Sequence, residues 1–449
     1  MSASNSPTNP SPATIDSNPQ TAAASRNPGM PPSAAQKFLQ WAGGALLAVW
    51  CVWWGLNLIQ NRQLGVSYGW FPPNFGIDFL WGIDWPGRIW LAGGDPYHDK
   101  TPMFSWPPMS NYPPVVFPVF AWVGLVASKQ AVTIWMCALG LIAAGGAYAV
   151  WRCRRRLELE EIPLPAVVAA VLFSTPVVFS MERGNYDLIT VPIVIAALAL
   201  MRGASRWRDY LAGALLALAP WLKVYPLFLG IGLAGLKKWR ALSGFAIAGL
   251  AVIVVIPTET ARYLENNAIY LGQVKFISGT IPPNRVHPWA HSINDNWPRL
   301  WNGTPLRVLN RINPYVAAIG ILAPVLAWVS LRVCRSSRRE QLALPYLLWV
   351  TALATFIPPV ANDYSLVFLP LAALAVCSRR DPLICTVCLA ALALWWQPIA
   401  LPIDGRLLIA FKVAGLLSIG VSLTRRAREL CVVRSEPAAP PVPLLRTAA

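Results

Sequence analysis

The chain has 449 residues, of which 55% are hydrophobic and 13% are charged, and its mean hydropathy is +0.47. Soluble domains carry roughly 25% charged residues, so this composition excludes an ordinary soluble enzyme and indicates many membrane-spanning helices. The net charge of +17 does not indicate a nucleic-acid partner here, because much of the Lys and Arg lies in short clusters between apolar runs, as in cytoplasmic loops.

Residues 1–36 form a tail rich in Ser, Pro, Ala and Asn, which predicts disorder. The first long apolar run, 38–59, can span a bilayer, and the residues before it lack the charge order of a signal peptide. A second Pro-rich tail is predicted at 431–449. These limits predict a transmembrane domain over 37–430.

The stretch after the first apolar run carries three carboxylates among Trp, Gly and Pro residues. Carboxylates at a membrane rim are poor packing residues, because removing them from water costs free energy. Asp78 lies between apolar neighbours and is predicted to be functional. Asp95 lies in an Asp-Pro turn and is equally compatible with a solvated loop.

Clusters of Arg and Lys separate the later apolar runs. Placing all of them in the cytoplasm leaves the intervening segments outside, including a long loop at 258–313, and the alternation is consistent along the chain. The clusters are Arg152–Arg156, Arg202–Arg208, Lys237–Arg240, Arg332–Arg339, Arg379–Arg380 and Arg425–Arg428.

This alternation predicts an all-α polytopic protein with about twelve transmembrane helices, large outer loops and both termini in the cytoplasm. A full crossing by 113–127 would place Arg152–Arg156 outside, so we expect an embedded or interfacial helix there. The short runs 209–222 and 224–236 meet at Lys223, which predicts a cavity at the junction. The predicted spans are 38–59, 130–151, 163–181, 186–201, 209–222, 224–236, 241–257, 314–333, 342–358, 364–377, 382–400 and 407–423.

The chain has no nucleotide-binding, zinc-protease or serine-hydrolase motif. His287 and His291 have the spacing of zinc ligands on a helix, but Pro288 lies between them, so we predict neither a metal site nor a cofactor. The notable polar residues share the predicted outer side, which indicates a site at the outer membrane interface. They are Asp78, Asp84, Arg183, Asn185, Lys223, His291, Asn294, Asp363 and Tyr364.

A set of short motifs over about residues 40–380 resembles, in order, the family-87 glycosyltransferases of the GT-C superfamily. The chain departs from the family's usual Gly-Gln-x-Asn at Gly184-Asn185-Tyr186-Asp187, and from a commonly found His at Asn362-Asp363-Tyr364. The matching motifs are Asp78-Phe79, Leu91 to Tyr97, Tyr112-Pro-Pro114, Arg183-Gly-Asn185, Ala212 to Leu218 and Leu222 to Pro226.

The resemblance implies a GT-C type fold and an inverting transfer of a sugar, with mannose as the candidate, from a polyprenyl phosphate to a lipid or glycan acceptor. It implies Asp78 as the base and Lys223, with Arg183, as contacts of the donor phosphate. It places the enzyme in a bacterial inner or plasma membrane. A transporter or flippase, and a lipid-linked glycan ligase or polymerase, remain as alternatives.

Overall fold

The computed structural model describes residues 33–60, 76–99, 112–203, 205–280, 292–358, 363–378 and 405–432. These ranges are helical and contain no β-strand, which confirms the all-α class. The predicted span 382–400, nearly all of both predicted tails and His291 lie outside the described residues.

The described α-helices are numbered in chain order. They are α1 (Ala34–Gln60), α2 (Ile77–Phe79), α3 (Trp85–Leu91), α4 (Val116–Val119), α5 (Ser128–Arg156), α6 (Leu164–Leu172), α7 (Thr175–Arg183), α8 (Thr190–Leu200), α9 (Arg206–Leu222), α10 (Leu229–Gly235), α11 (Trp239–Val255), α12 (Pro257–Thr280), α13 (Ile293–Trp301), α14 (Pro314–Arg335), α15 (Ala343–Ala354), α16 (Phe368–Val376) and α17 (Gly405–Val432). Shorter turns of other helix types are the π-helix Leu80–Asp84 and the 3₁₀ helices Ala121–Leu125, Tyr186–Ile189, Tyr225–Phe228, Arg307–Arg311 and Asp363–Val367.

Three helices of the described residues, α1, α5 and α14, are long and apolar enough to cross a membrane. The count rises to five if two bent pairs each form one span, α6 with α7 at 58° and α11 with α12 at 95°. Both bends lie beside a proline, which lacks the N–H that a continuous helix needs. Several predicted spans are helices of 10–17 residues instead, so the count of about twelve is not confirmed, while membrane embedding is supported.

The charge pattern predicted segment 258–313 as a long outer loop, and the described part of this segment contains helices. It contains α12, which leaves α11 almost at a right angle, and then α13. In α12 the side chains of Thr260 and Tyr263 are buried while Leu264 is exposed. The polar residues of α12 hid this helix from a search for apolar runs.

The apolar segment 113–127 forms only α4 and the 3₁₀ helix Ala121–Leu125. Its side chains at Phe117, Phe120 and Val123 are buried in the protein. The segment therefore packs beside α3 and is too short to cross a bilayer by itself.

Several basic clusters meet at one end of the helices. Arg338 lies 3.7 Å from Glu158, and Lys238 lies 2.7 Å from Glu340. At the same end the buried Arg154 donates hydrogen bonds to the carbonyl oxygens of Leu374 and Cys377. Clusters that are far apart in sequence thus share one end, as the charge pattern predicts, while the side of the membrane stays a prediction.

Glycines bring α9 and α11 into close contact. A Cβ added at Gly213 would lie 1.8 Å from the carbonyl oxygen of Ala241, and one at Gly244 would lie 2.2 Å from that of Tyr210. No larger residue fits at either position, and this packing fixes the helix that ends beside Lys223.

Candidate functional site

The turn after α7 lies directly against the start of α2. The backbone N–H of Gly76 donates to the carbonyl oxygen of Glu182 at 2.9 Å. Gly184 has φ +70°, and a Cβ there would lie 3.0 Å from the Cα of Gly76, so glycine allows both the turn and the contact. These backbone contacts bring residues 78 and 183 together although 105 positions separate them.

Asp78 and Arg183 form an ion pair across this contact. The Nη2 atom of Arg183 donates to Oδ1 of Asp78 at 2.5 Å. The side chain of Arg183 is 17% exposed and that of Asp78 is 12% exposed. The other carboxylate oxygen, Oδ2, is buried and accepts no hydrogen bond from the described residues. A buried acceptor without a partner typically costs about 1–3 kcal/mol, so this oxygen is a candidate to receive a proton from a substrate.

Lys223 forms a second ion pair, with Asp187. Helix α9 ends at Leu222, and Lys223 has an extended backbone with φ −151°. Its Nζ atom lies 2.6 Å from Oδ1 of Asp187, whose side chain is fully buried. The same Nζ donates to Oδ1 of Asn185 at 3.3 Å, and that oxygen also accepts the backbone N–H of Asp187.

Three tyrosine rings surround the ammonium of Lys223. Its Nζ lies 5.9, 5.6 and 5.8 Å from the ring centroids of Tyr112, Tyr186 and Tyr225. These distances are within the range of cation–π attraction. The hydroxyl of Tyr186 also donates to the carbonyl oxygen of Leu222, one residue before the lysine. We call Tyr112, Tyr186 and Tyr225 the tyrosine cage.

The tyrosine cage is coupled to the segment that carries Asp78. Gly82 lies in the π-helix after α2, and a Cβ added there would lie 2.0 Å from the ring of Tyr112. Only glycine leaves room for this ring, so the π-helix and the cage must keep their relative positions.

Asp84 ends the π-helix and is fully buried. It accepts hydrogen bonds from the hydroxyl of Ser128 at 2.5 Å and from the guanidinium of Arg88 at 3.0 and 3.1 Å. These bonds tie the segment carrying Asp78 to the start of α5. They give Asp84 an anchoring role, while its predicted substrate contact stays a prediction.

The other predicted site residues surround the end of α15. The side-chain amide of Asn294 donates to the carbonyl oxygen of Ile357 at 3.4 Å, and Ser292 donates to that of Pro358. Asp363 and Tyr364 begin a 3₁₀ helix that packs against α7, which ends at Arg183. The structure therefore brings the segments that hold Arg183, Asp363 and Tyr364 together.

Asp95 joins the loop after α3 to α12. Its carboxylate accepts the backbone N–H of Tyr97 at 2.9 Å and lies 3.1 Å from His98 and 3.4 Å from Arg262. Burial raises the pKa of Asp95, but these donors and positive charges outweigh it, so the pKa falls below its ordinary value. Asp95 thus links these two segments.

The sequence predictions missed Asp187 and the tyrosine cage as parts of the site. Asp187 stood out only as a departure from the family pattern, and the three tyrosines only as letters within motifs. The apolar residues around Lys223 could have indicated such a partner, because a lysine in an apolar setting needs a group of opposite charge nearby. Within the described residues, no group of three or more His, Cys, Asp or Glu residues could hold a metal ion.

The site therefore holds two ion pairs. Both members of the Asp78–Arg183 pair are partly exposed, whereas in the Asp187–Lys223 pair the carboxylate is fully buried. Such an arrangement can offer a carboxylate to a hydroxyl and a cation to an anionic group. The family model described as Glycosyltransferase family 87 matches residues 111–359, which include Arg183, Asn185, Asp187 and Lys223. No curated protein and no solved structure gives a significant match to this chain.

Proposed function

Because this chain belongs to glycosyltransferase family 87, we propose that it transfers a sugar from a polyprenyl-phosphate donor to an acceptor hydroxyl. Mannose is the first candidate for the sugar, and a lipid or glycan is the acceptor. The reaction takes place at the outer face of a bacterial inner or plasma membrane, with both termini in the cytoplasm. The fold is expected to be of the GT-C type.

The transfer is a single displacement with inversion at the anomeric carbon. The acceptor hydroxyl loses its proton to Oδ2 of Asp78 while its oxygen forms a bond to the anomeric carbon. The bond from that carbon to the phosphate oxygen breaks, and the electron pair leaves on the polyprenyl phosphate. The phosphate is already a stable leaving group, so one carboxylate suffices as base and no general acid is required.

The carboxylate oxygen Oδ2 of Asp78, which has no hydrogen-bond partner among the described residues, is the observation that carries this proposal. Arg183 binds Oδ1 and so orients the carboxylate, while the buried Oδ2 has no hydrogen-bond donor among the described residues. A carboxylate oxygen without a donor can accept a hydrogen bond from the acceptor hydroxyl and then its proton. Arg183 and Lys223 each hold an ion pair in this site, and their positive charges favour the binding of the donor phosphate.

The donor class is tested with purified protein in detergent. Radiolabelled polyprenyl-phosphate mannose and polyprenyl-phosphate glucose are each incubated with a membrane extract as acceptor, beside GDP-mannose and UDP-glucose. We expect label in the acceptor fraction from a lipid-linked sugar and none from the nucleotide sugars. Transfer from a nucleotide sugar alone would contradict the proposal.

A further inference from the structure

We propose that Arg183, rather than Lys223, receives the donor phosphate, and that it does so by exchanging the carboxylate of Asp78 for that phosphate. This inference rests on the proposed function, because it assigns roles to the two cations of the same site. The resemblance names Lys223 first and Arg183 beside it as contacts of the donor phosphate. The structure separates them by what each must give up.

Lys223 is paired with the more deeply buried of the two acids. Its ammonium contacts Asp187, the side-chain oxygen of Asn185 and the faces of the tyrosine cage. The Asp187 carboxylate is fully buried, so removing its counter-ion would leave a charge with no access to water. Lys223 therefore stays with Asp187, and this pair holds the cage and the end of α9 in place.

Arg183 can leave its carboxylate at a smaller penalty. Asp78 is 12% exposed, and losing the guanidinium frees Oδ1 as well as Oδ2 of the base. The segments that carry both residues are joined through the backbone at Gly76 and Glu182, so only the arginine side chain has to move. A guanidinium also presents paired N–H donors that match two oxygens of a phosphate, which an ammonium does not.

The exchange couples the binding of the donor to the release of the Asp78 carboxylate from Arg183. Before the donor binds, Arg183 holds Asp78. When the phosphate takes over the guanidinium, the carboxylate becomes free for the acceptor hydroxyl. The carboxylate and the phosphate then compete for one cation, and such competition is reciprocal, so removing the carboxylate should tighten phosphate binding.

The chain offers a matched set of variants, because each cation has its own acid. We would measure the binding of radiolabelled farnesyl phosphate to detergent-purified protein, with farnesol to subtract the contribution of the lipid chain. Asp78→Asn should bind farnesyl phosphate more tightly, by about 5-fold or more, the lower end of usual couplings between sites. Asp187→Asn should bind no more tightly than wild type. Asp95→Asn controls for the loss of a carboxylate, because Asp95 is paired with a different cation, Arg262, at 3.4 Å.

A double variant separates exchange from simple charge repulsion. If Asp78 acts through Arg183, then Arg183→Gln weakens binding, and Asp78→Asn added to Arg183→Gln restores none of it. Tightening that persists in the double variant would mean that Asp78 only repels the phosphate, and the exchange would be overturned. Tightening by Asp187→Asn instead of Asp78→Asn would assign the phosphate to Lys223.

These binding results are independent of the transfer assay. Binding is measured without an acceptor, so an unchanged affinity in Asp78→Asn would reject the exchange even if this variant transferred no sugar. Conversely, a failure to transfer sugar from any lipid-linked donor would reject the proposed function, whatever the affinities. Thermal unfolding of each purified variant confirms that the protein compared is folded.

Discussion

Replacing Lys223 by methionine tests the buried ion pair. Methionine keeps the length and the apolar stem of the side chain but removes the ammonium. Asp187 then remains fully buried with no opposite charge from Lys223. Breaking a buried pair by removing one partner typically costs about 3–5 kcal/mol, and we take the lower end because Lys223 itself is 19% exposed. We therefore expect the free energy of unfolding to fall by about 3 kcal/mol.

The measurement is the unfolding free energy in mixed micelles, obtained by titration with sodium dodecyl sulfate. The control is Lys238→Met, because Lys238 pairs with Glu340 at a similar distance, 2.7 Å, but Glu340 is 67% exposed. An exposed pair contributes about 0–1 kcal/mol, so this control should lose little. Adding Asp187→Asn to Lys223→Met should recover most of the loss. Wild-type stability in Lys223→Met, or no recovery in the double variant, would refute the buried-pair reasoning.

Three further outcomes follow from the packing and the sidedness of the site. Gly82→Ala should reduce sugar transfer at least about tenfold, because its Cβ would displace the ring of Tyr112; Gly44→Ala, with open space around it, should transfer normally. In right-side-out vesicles, an impermeant maleimide should label Val308→Cys and not Arg155→Cys, both at exposed positions; the reverse pattern would invert the predicted topology. Asp84→Asn should lower the free energy of unfolding by about 1–3 kcal/mol, because Ser128 and Arg88 lose a charged acceptor. The affinity of this variant for farnesyl phosphate should stay at the wild-type value.

The sequence predicted the all-α class and the meeting of several basic clusters at one end of the helices, while the sidedness of the site stays a prediction. Apolar runs and basic clusters are visible in the sequence alone, and the structure joins Glu158 to Arg338 and Lys238 to Glu340 at one end. The Asp78–Arg183 contact could not be derived in this way. It depends on Gly76 and Gly184 meeting through their backbones, which no periodicity reveals.

The lengths of the helices were predicted less well, for a physical reason. Hydropathy averaged over a window does not register a bend, so 163–181 was predicted as one span where α6 and α7 meet at 58°. Helix α12 was missed because its polar residues place it outside any apolar run. The buried partner of Lys223 was missed because Asp187 is adjacent to it only in three dimensions.

The proposed role of Asp78 is that of the base in a sugar transfer from a lipid-linked donor. The most direct measurement is the initial rate of transfer from polyprenyl-phosphate sugar to a membrane-extract acceptor by Asp78→Asn, at saturating donor. Asparagine keeps the size of the side chain and can still accept a hydrogen bond, but it cannot take up the proton. A placed base contributes on the order of 10²–10⁴-fold, so we predict that the rate falls by about that factor in folded protein that still binds farnesyl phosphate. Transfer at a near wild-type rate by this variant would show that Asp78 is not the base and would assign the proton to another group.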